Sequence, residues 1–297
     1  ENVNYLKCFL NQQKMTFKTV QDADIMTHQS PLDVCAENGV WFPMGIEGDF
    51  AEDQRIADGQ SLSFDMLSED IPKEILGNPQ VHLEISVNRP IASLAVRLCD
   101  VSPDGTSLLV SWGLFNLCHR HSHEYPEEMT PHEKTFIQFP LKATGHRLAS
   151  GHHWRLSLSS TCFPHAWPSP KKVELRLHPG ENTYLNLPVR LNATKNDNPS
   201  FKQPECSRPE EIKFLRKTTR DRTITRNASK GKCILKDVND SGRILFEESS
   251  LELGDMAIDR LEISLDDPLS MKTECQRTTD IGRNQWQTRI ETKSKMT

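Results

Sequence analysis

The densest chemistry-bearing run in the chain is Cys118-His119-Arg120-His121-Ser122-His123-Glu124. Alternate residues of a strand share a face, so an extended run would bring His119, His121 and His123 together as imidazole ligands for a metal ion. Carboxylates gather at Glu47-Gly48-Asp49 and Glu52-Asp53-Gln54-Arg55, and paired acids can serve glycoside hydrolysis. They sit beside Gly and Arg without a second acidic site to set a separation, which favours a loop pinned by an Asp–Arg pair. A hydrolase serine needs Gly-x-Ser-x-Gly, because the glycines permit the strained turn that exposes the nucleophile. Neither Ser111, which lacks the first glycine, nor Ser107, which lacks the last, satisfies it. Gly-rich phosphate loops and the βαβ rhythm that carries them are also missing. Five tryptophans (Trp41, Trp112, Trp154, Trp167 and Trp286) could stack on sugar rings if several shared an exposed face. Trp112 and Trp154 lie in alternating segments, where core is the default. The expectation is therefore a chain with no catalytic, cofactor-binding or metal-ligating residue and no cofactor.

The elements that would position these groups read as strands. Val81/Leu83/Ile85/Val87 and Leu94/Val96/Leu98 alternate with polar or small residues, the period of a half-buried strand. Further strands are expected at Ser107–Leu117, Phe136–Leu141, Trp154/Leu156/Leu158, Val173/Leu175/Leu177 and Leu185/Leu187/Val189/Leu191. Turn chemistry separates them at Asn88-Arg89-Pro90, Ser102-Pro103-Asp104-Gly105 and His178-Pro179-Gly180. One helix is expected, around Ile71–Leu76, where Pro72 would open the first turn. Short strands with regular turns imply an all-β sandwich or jelly roll.

With 297 residues there is room for one large domain or two ordinary ones. Composition shifts near residue 195, where Asn196-Asp197-Asn198-Pro199-Ser200 is linker-like, and two regions are expected, 1–195 and 196–297. The second holds 19 basic and 17 acidic residues from position 200 onward, and its strands read as short and one-sided, which favours an extension of the first sandwich. Its basic residues from Lys213 to Arg226 are nearly without aromatic interleaving and read as a solvated face rather than a polyanion patch. A net charge of -5 argues against a non-specific nucleic-acid binder, and no apolar run is long enough for a membrane-spanning helix. The eight cysteines are scattered without a zinc spacing, as expected of buried free thiols in the cytoplasm; three glycosylation sequons, at Asn192, Asn227 and Asn239, carry little weight. The chain opens without methionine and closes directly after an alternating segment, and so reads as a fragment of a longer protein.

Two resemblances bear on function. Gly113, five residues and then His119-x-His121 is similar to the opening of the cupin metal motif, but Tyr125 and Pro126 stand where its glutamate should. A histidine-rich strand end is the better reading. More extensive is the likeness of three stretches to the C-terminal non-catalytic domain of the X-Pro dipeptidyl-peptidase and cocaine-esterase hydrolases. They are Gly39-Val-Trp-Phe-Pro-Met-Gly45 with Asp49, Asp53-Gln54-Arg55 and Ser61–Asp65; Val96–Ser107 with Gly113–Arg120 and Ser122-His123-Glu124; and Gly151–Ser160 with Trp167-Pro168-Ser169-Pro170 and Leu187-Pro188-Val189-Arg190. Leu265-Asp266-Asp267-Pro268-Leu269 with Trp286 and Arg289–Thr292 resembles the family's later extension. The resemblance implies a jelly-roll, galactose-binding-like β-sandwich with a C-terminal β-rich extension, following an α/β-hydrolase domain that carries the Ser, Asp and His of catalysis. It implies an accessory role, bracing that domain and shaping its pocket, through an apolar patch of several hundred Å². The alternative is a stand-alone jelly-roll module binding carbohydrate or a metal.

Overall fold

The computed structural model describes residues 4–19, 23–67, 71–190 and 200–297. Leu191, the sequon at Asn192 and the linker from Asn196 to Pro199 lie outside the described residues. Two compact units divide the chain: Glu1–Gly45, Asp49–Ala193 and Asp266–Leu269 form one, and Ile46–Gly48, Thr194–Leu265 and Ser270–Thr297 the other.

In the first unit the elements run β1 (Asn4–Asn11), β2 (Lys14–Thr16), β3 (Met26–His28), α1 (Arg55–Gly59), β4 (Leu62–Met66), β5 (Glu74–Gly77), β6 (Gln80–Val87), β7 (Ser93–Val101) and β8 (Ser107–Asn116). Then follow β9 (Thr135–Pro140), β10 (Thr144–Arg147), β11 (His153–Ser159), β12 (Leu175–Leu177) and β13 (Tyr184–Val189). Among the described residues these strands pair in the order β3-β12-β6-β13-β1-β2-β4-β11-β7-β8, with β5, β9 and β10 attached to the side. The result is the all-β jelly-roll sandwich that period-two alternation implied. Its core interdigitates Leu83, Ile85, Leu177 and Leu187 with Phe64, Leu98, Trp154 and Leu156, all buried.

The helix expected at 71–76 is not there. Pro72 O accepts from Trp154 Nε1 at 2.9 Å, Lys73 O accepts from Leu148 N, and Glu74–Gly77 pairs with Thr144–Arg147 as a strand. Ile75 is buried and Leu76 exposed, the alternation of an extended chain. Tertiary pairing overrides the local helix-start signal. The short helix present is α1, at Arg55–Gly59.

The second unit holds a sheet of mostly long strands: β14 (Ile212–Arg216), β15 (Thr219–Asn227), β16 (Lys232–Phe246), β17 (Leu251–Ser264), β18 (Asp267–Arg283, all but its first three residues) and β19 (Trp286–Met296). Their order is β14-β16-β17-β18-β19, with β15 on β16. The strands are longer than expected because pairs of apolar segments merge. Cys233/Leu235 and Ile244/Phe246 belong to one strand, bent at a register shift between Asp240 and Arg243. Gly242 sits there at φ +77°, and a Cβ on it would meet Arg216 O at 2.4 Å.

Candidate functional site

The histidine run does not lie on a strand. β8 ends at Asn116, whose side chain accepts from Cys118 N and starts a 3₁₀ turn, Leu117–His119. Arg120 then donates to the carbonyls of Leu117, Glu127 and Glu128 and closes the loop on itself. The turn brings His119 and His123 together, Nδ1 to Nδ1 at 3.3 Å, and leaves His121 exposed. Three imidazoles do not converge, and among the described residues no group of three His, Cys, Asp or Glu side chains is placed to hold a metal.

The tryptophans do not share a face either. Trp112 and Trp154 are buried. Trp41 packs edge-on against Trp112 with ring centroids 4.9 Å apart, and the Lys142 ammonium lies 4.5 Å and 4.3 Å from the two ring centres. Lys142 Nζ also donates to Trp41 O, and burial pushes its pKa down. The protein's own lysine thus occupies the cationic site between the two indoles. Trp167 is partly exposed, and Trp286 belongs to the second unit.

What the fold does build is a supported loop. One row of side chains crosses four strands: Ser63 on β4 stands beside Ser157 on β11, Ser157 beside Arg97 on β7, and Arg97 beside Trp112 on β8. These residues point away from the main core, on the face that alternation would leave to solvent. Residues 33–45 and 49–58 cover it instead, with Val34, Cys35 and Ala57 packing on Ala95 and Trp112. Arg97, 1% exposed, pairs with Asp58 Oδ1 at 3.1 Å and donates to Gln54 Oε1 and Ser61 Oγ. Asp58 also accepts from Ser107 at 2.7 Å, Ser157 at 3.0 Å and Arg155 at 3.3 Å. Gln54 Nε2 donates to the carbonyls of Glu37 and Glu52, so the covering segment is tied to the network at both ends.

The carboxylates noted in the sequence hold this segment. Asp53 accepts from the backbone of Arg55 and Ser107 and pairs with the Arg55 guanidinium at 2.7 Å, the pinned loop that the Asp–Arg spacing suggested. Asp49 accepts from Met44 N at 3.0 Å, and its carbonyl accepts from Val40 N at 2.9 Å, closing a loop between them. Gly39 enters that loop at φ +72°, where a Cβ would stand 2.4 Å from Asp49 O, so only glycine fits. The loop displays Trp41, Phe42, Met44 and Phe50, which are 53%, 75%, 73% and 63% exposed. Large apolar side chains held out to water on a pinned scaffold mark a contact surface.

Beside the network, Asp65 and Arg155 face each other across β4 and β11 and form a two-pronged pair at 2.6 and 2.9 Å. Burial pushes the Asp65 carboxyl up, but the two hydrogen bonds from Arg155 and the His153 ring 3.5 Å away outweigh it and hold the pKa down from 3.8 to about 2. A carboxylate with a depressed folded-state pKa stabilises the fold fully above 3.8 and loses that contribution as pH falls towards about 2. Asp65→Asn should therefore destabilise the protein at pH 6, and its deficit relative to wild type should shrink between pH 4 and pH 2. Denaturant unfolding at each pH checks this; a deficit independent of pH would show that the charge of Asp65 is not what stabilises.

Sequence reasoning missed Arg97 and Asp58 as a buried pair. It also missed Asp100, buried between His146 at 2.8 Å and His152 at 2.7 Å. The available signal was a charged residue inside an otherwise apolar alternating strand: Arg97 between Val96 and Leu98, Asp100 between Cys99 and Val101.

The model of the X-Pro dipeptidyl-peptidase C-terminal non-catalytic domain matches residues 2–200. No curated protein matches the chain. Among solved structures it is similar to an alpha-amino acid ester hydrolase, with a TM-score of 0.53 and 23% identity, covering 63% of this chain and 36% of that one. It is also similar to an aminopeptidase from the marine sediment archaeon Thaumarchaeota archaeon, with a TM-score of 0.54 and 18% identity, covering 62% and 36%. At such identities the likeness speaks for the fold, and the chain spans about a third of the length of those proteins. With the sandwich and the matched span in agreement, this chain belongs to the family of X-Pro dipeptidyl-peptidase C-terminal non-catalytic domains.

Proposed function

We propose that the chain is the accessory part of a serine hydrolase of dipeptidyl-peptidase or esterase type, packing on an α/β-hydrolase domain and helping to shape its pocket. In this reading residues 1–195 are the accessory sandwich and 196–297 its β-rich appendage, and the protein works in the reducing cytoplasm. The observation that carries it is the exposed apolar loop with Phe42 and Met44 at its tip, on a chain whose family is defined as non-catalytic. The two solved relatives are an ester hydrolase and an aminopeptidase, each nearly three times as long as the matched part. Free thiols at all eight cysteines support the compartment, and no helix among the described residues is long and apolar enough to cross a membrane.

The test compares the catalytic domain with and without this chain. Alone, the chain should hydrolyse neither X-Pro anilides nor α-amino acid esters above background. Joined to the catalytic domain, it should raise kcat/KM on one of these substrates by at least ~10-fold, about 1.4 kcal/mol of transition-state binding. Turnover by the chain alone, or a catalytic domain equally active without it, would refute the accessory role.

A further inference from the structure

Two cysteines meet behind the exposed loop. Cys35, in the turn that leads into it, is fully buried, and Cys162, just after β11, is 3% exposed. Both belong to one packed cluster with Val34, Ala57, Ala95 and Trp112. The two segments are held side by side by the backbone bond from Phe163 N to Val34 O at 2.8 Å. Cys35 lies at φ +72°, a conformation uncommon for a residue with a Cβ, and Asn38 N donates to its carbonyl at 2.9 Å. The side chain of Asn38, 3% exposed, donates to Cys162 Sγ at 3.9 Å, while its Oδ1 has no hydrogen-bond partner in the protein. A buried amide oxygen without a partner is a ready acceptor for a small hydrogen-bonding guest.

Electrostatics separates the two sulfurs. Burial pushes the Cys35 thiol up, but the neighbouring Cys162 thiol and the positive charge of Arg97 reverse the shift against the opposing charge of Glu37. For Cys162, burial and the neighbouring Cys35 act together and hold the thiol well above its ordinary range. Cys35 is thus the sulfur more readily ionised, and Cys162 keeps its proton until a partner sulfur is activated.

We propose that Cys35 and Cys162 form a peroxide-responsive redox pair, switching between two thiols and a disulfide that ties the turn at 33–38 to the segment after β11. In the first step the Cys35 thiolate attacks one oxygen of hydrogen peroxide. An S–O bond forms, the O–O bond breaks, and the departing hydroxide takes up a proton to leave as water, giving a sulfenic acid. In the second step Cys162 gives up its proton and attacks the Cys35 sulfur; the S–S bond forms and the S–O bond breaks, releasing a second water. Two thiols are oxidised and one peroxide is reduced. Burial selects the oxidant: both sulfurs lie out of contact with solvent, so a bulky peptide disulfide is excluded more strongly than a small peroxide. Because Cys35 precedes the 39–50 loop, oxidation fixes the base of that loop, but the proposal stands on the pair's own geometry and not on the docking role.

The whole chain, treated with stoichiometric hydrogen peroxide, should lose two hydrogens, and a peptide map should link Cys35 to Cys162, reversibly with dithiothreitol. Cys162→Ser should stop at a sulfenic acid on Cys35 that dimedone labels, and Cys35→Ala should give no link. Glutathione disulfide should form the link at least ~10-fold more slowly than peroxide. Unlinked Cys35 and Cys162 peptides while the exposed Cys206 oxidises, pairing of either with another cysteine, or faster reaction with glutathione disulfide would overturn the proposal. Should a variant fail to fold, the wild-type map alone decides.

Discussion

Asp58→Ala is expected to cost about 3–5 kcal/mol of folding stability, the range found when one partner of a buried ion pair is removed. Against the roughly 5–15 kcal/mol that holds a typical domain together, this is enough to leave much of the chain unfolded at moderate temperature. The reason is specific to Asp58. Its carboxylate is shared among the Arg97 and Arg155 guanidinium groups and the hydroxyls of Ser107 and Ser157. Arg155 keeps Asp65 as a second partner, but Arg97 would be left charged and buried, with the neutral oxygens of Gln54 and Ser61 as its remaining hydrogen-bond partners. Chemical denaturation of the single variant and of Asp58→Ala/Arg97→Met decides the matter. The double variant should be destabilised by clearly less than the sum of the two single changes, because it leaves no unpaired charge. A single-variant cost below about 1 kcal/mol would mean that water or another anion already serves Arg97.

Phe42→Asp combined with Met44→Asp is expected to act in the opposite place. Both side chains are mostly in water, so folding of this chain should change by less than about 0.5 kcal/mol. In the polypeptide carrying the catalytic domain, an apolar anchor turned into a charge should remove about 2 kcal/mol or more of docking energy, on the order of a 30-fold loss. Calorimetry should then resolve two unfolding transitions where the unaltered polypeptide shows one, and KM should rise more than kcat falls. One unchanged transition in the double variant would place the contact surface elsewhere and remove the loop from the proposed mechanism. The pairing of the two results is informative: Asp58 supports the loop from behind, whereas Phe42 and Met44 are the side chains that the proposed docking would bury.

Much of the fold was legible because a half-buried strand writes its period directly into the chain. Val81 to Val87, Leu94 to Leu98 and Trp154 to Leu158 alternate, and β6, β7 and β11 stand there. Where the period was weak the reading failed. Ile71–Leu76 offered a proline-led start and a strand claimed part of it, since pairing with β10 satisfies backbone groups that a single helical turn would leave open. In the second unit the strands looked short because a bend at Gly242 interrupts the apolar pattern without interrupting the ladder.

By itself the sequence determined that the chain is an all-β sandwich without a nucleophile motif, since both conclusions rest on patterns local to a few residues. It also carried the family likeness, spread over stretches whose order is a property of the chain. Tertiary structure alone decided which outward faces are covered. Arg97 alternates with apolar neighbours and so reads as solvent-facing, yet the segments bearing Val34, Cys35, Ala57 and Asp58 close over it and force it into partnership with Asp58. His119, His121 and His123 share a parity that would align them on a strand, but a 3₁₀ turn at Leu117 brings only His119 and His123 together and leaves His121 exposed. Cys35 and Cys162 stand far apart in the chain and meet only because a covering turn lands on the end of β11. Contacts of this kind depend on which distant segment packs over a face, and local periodicity holds no record of it.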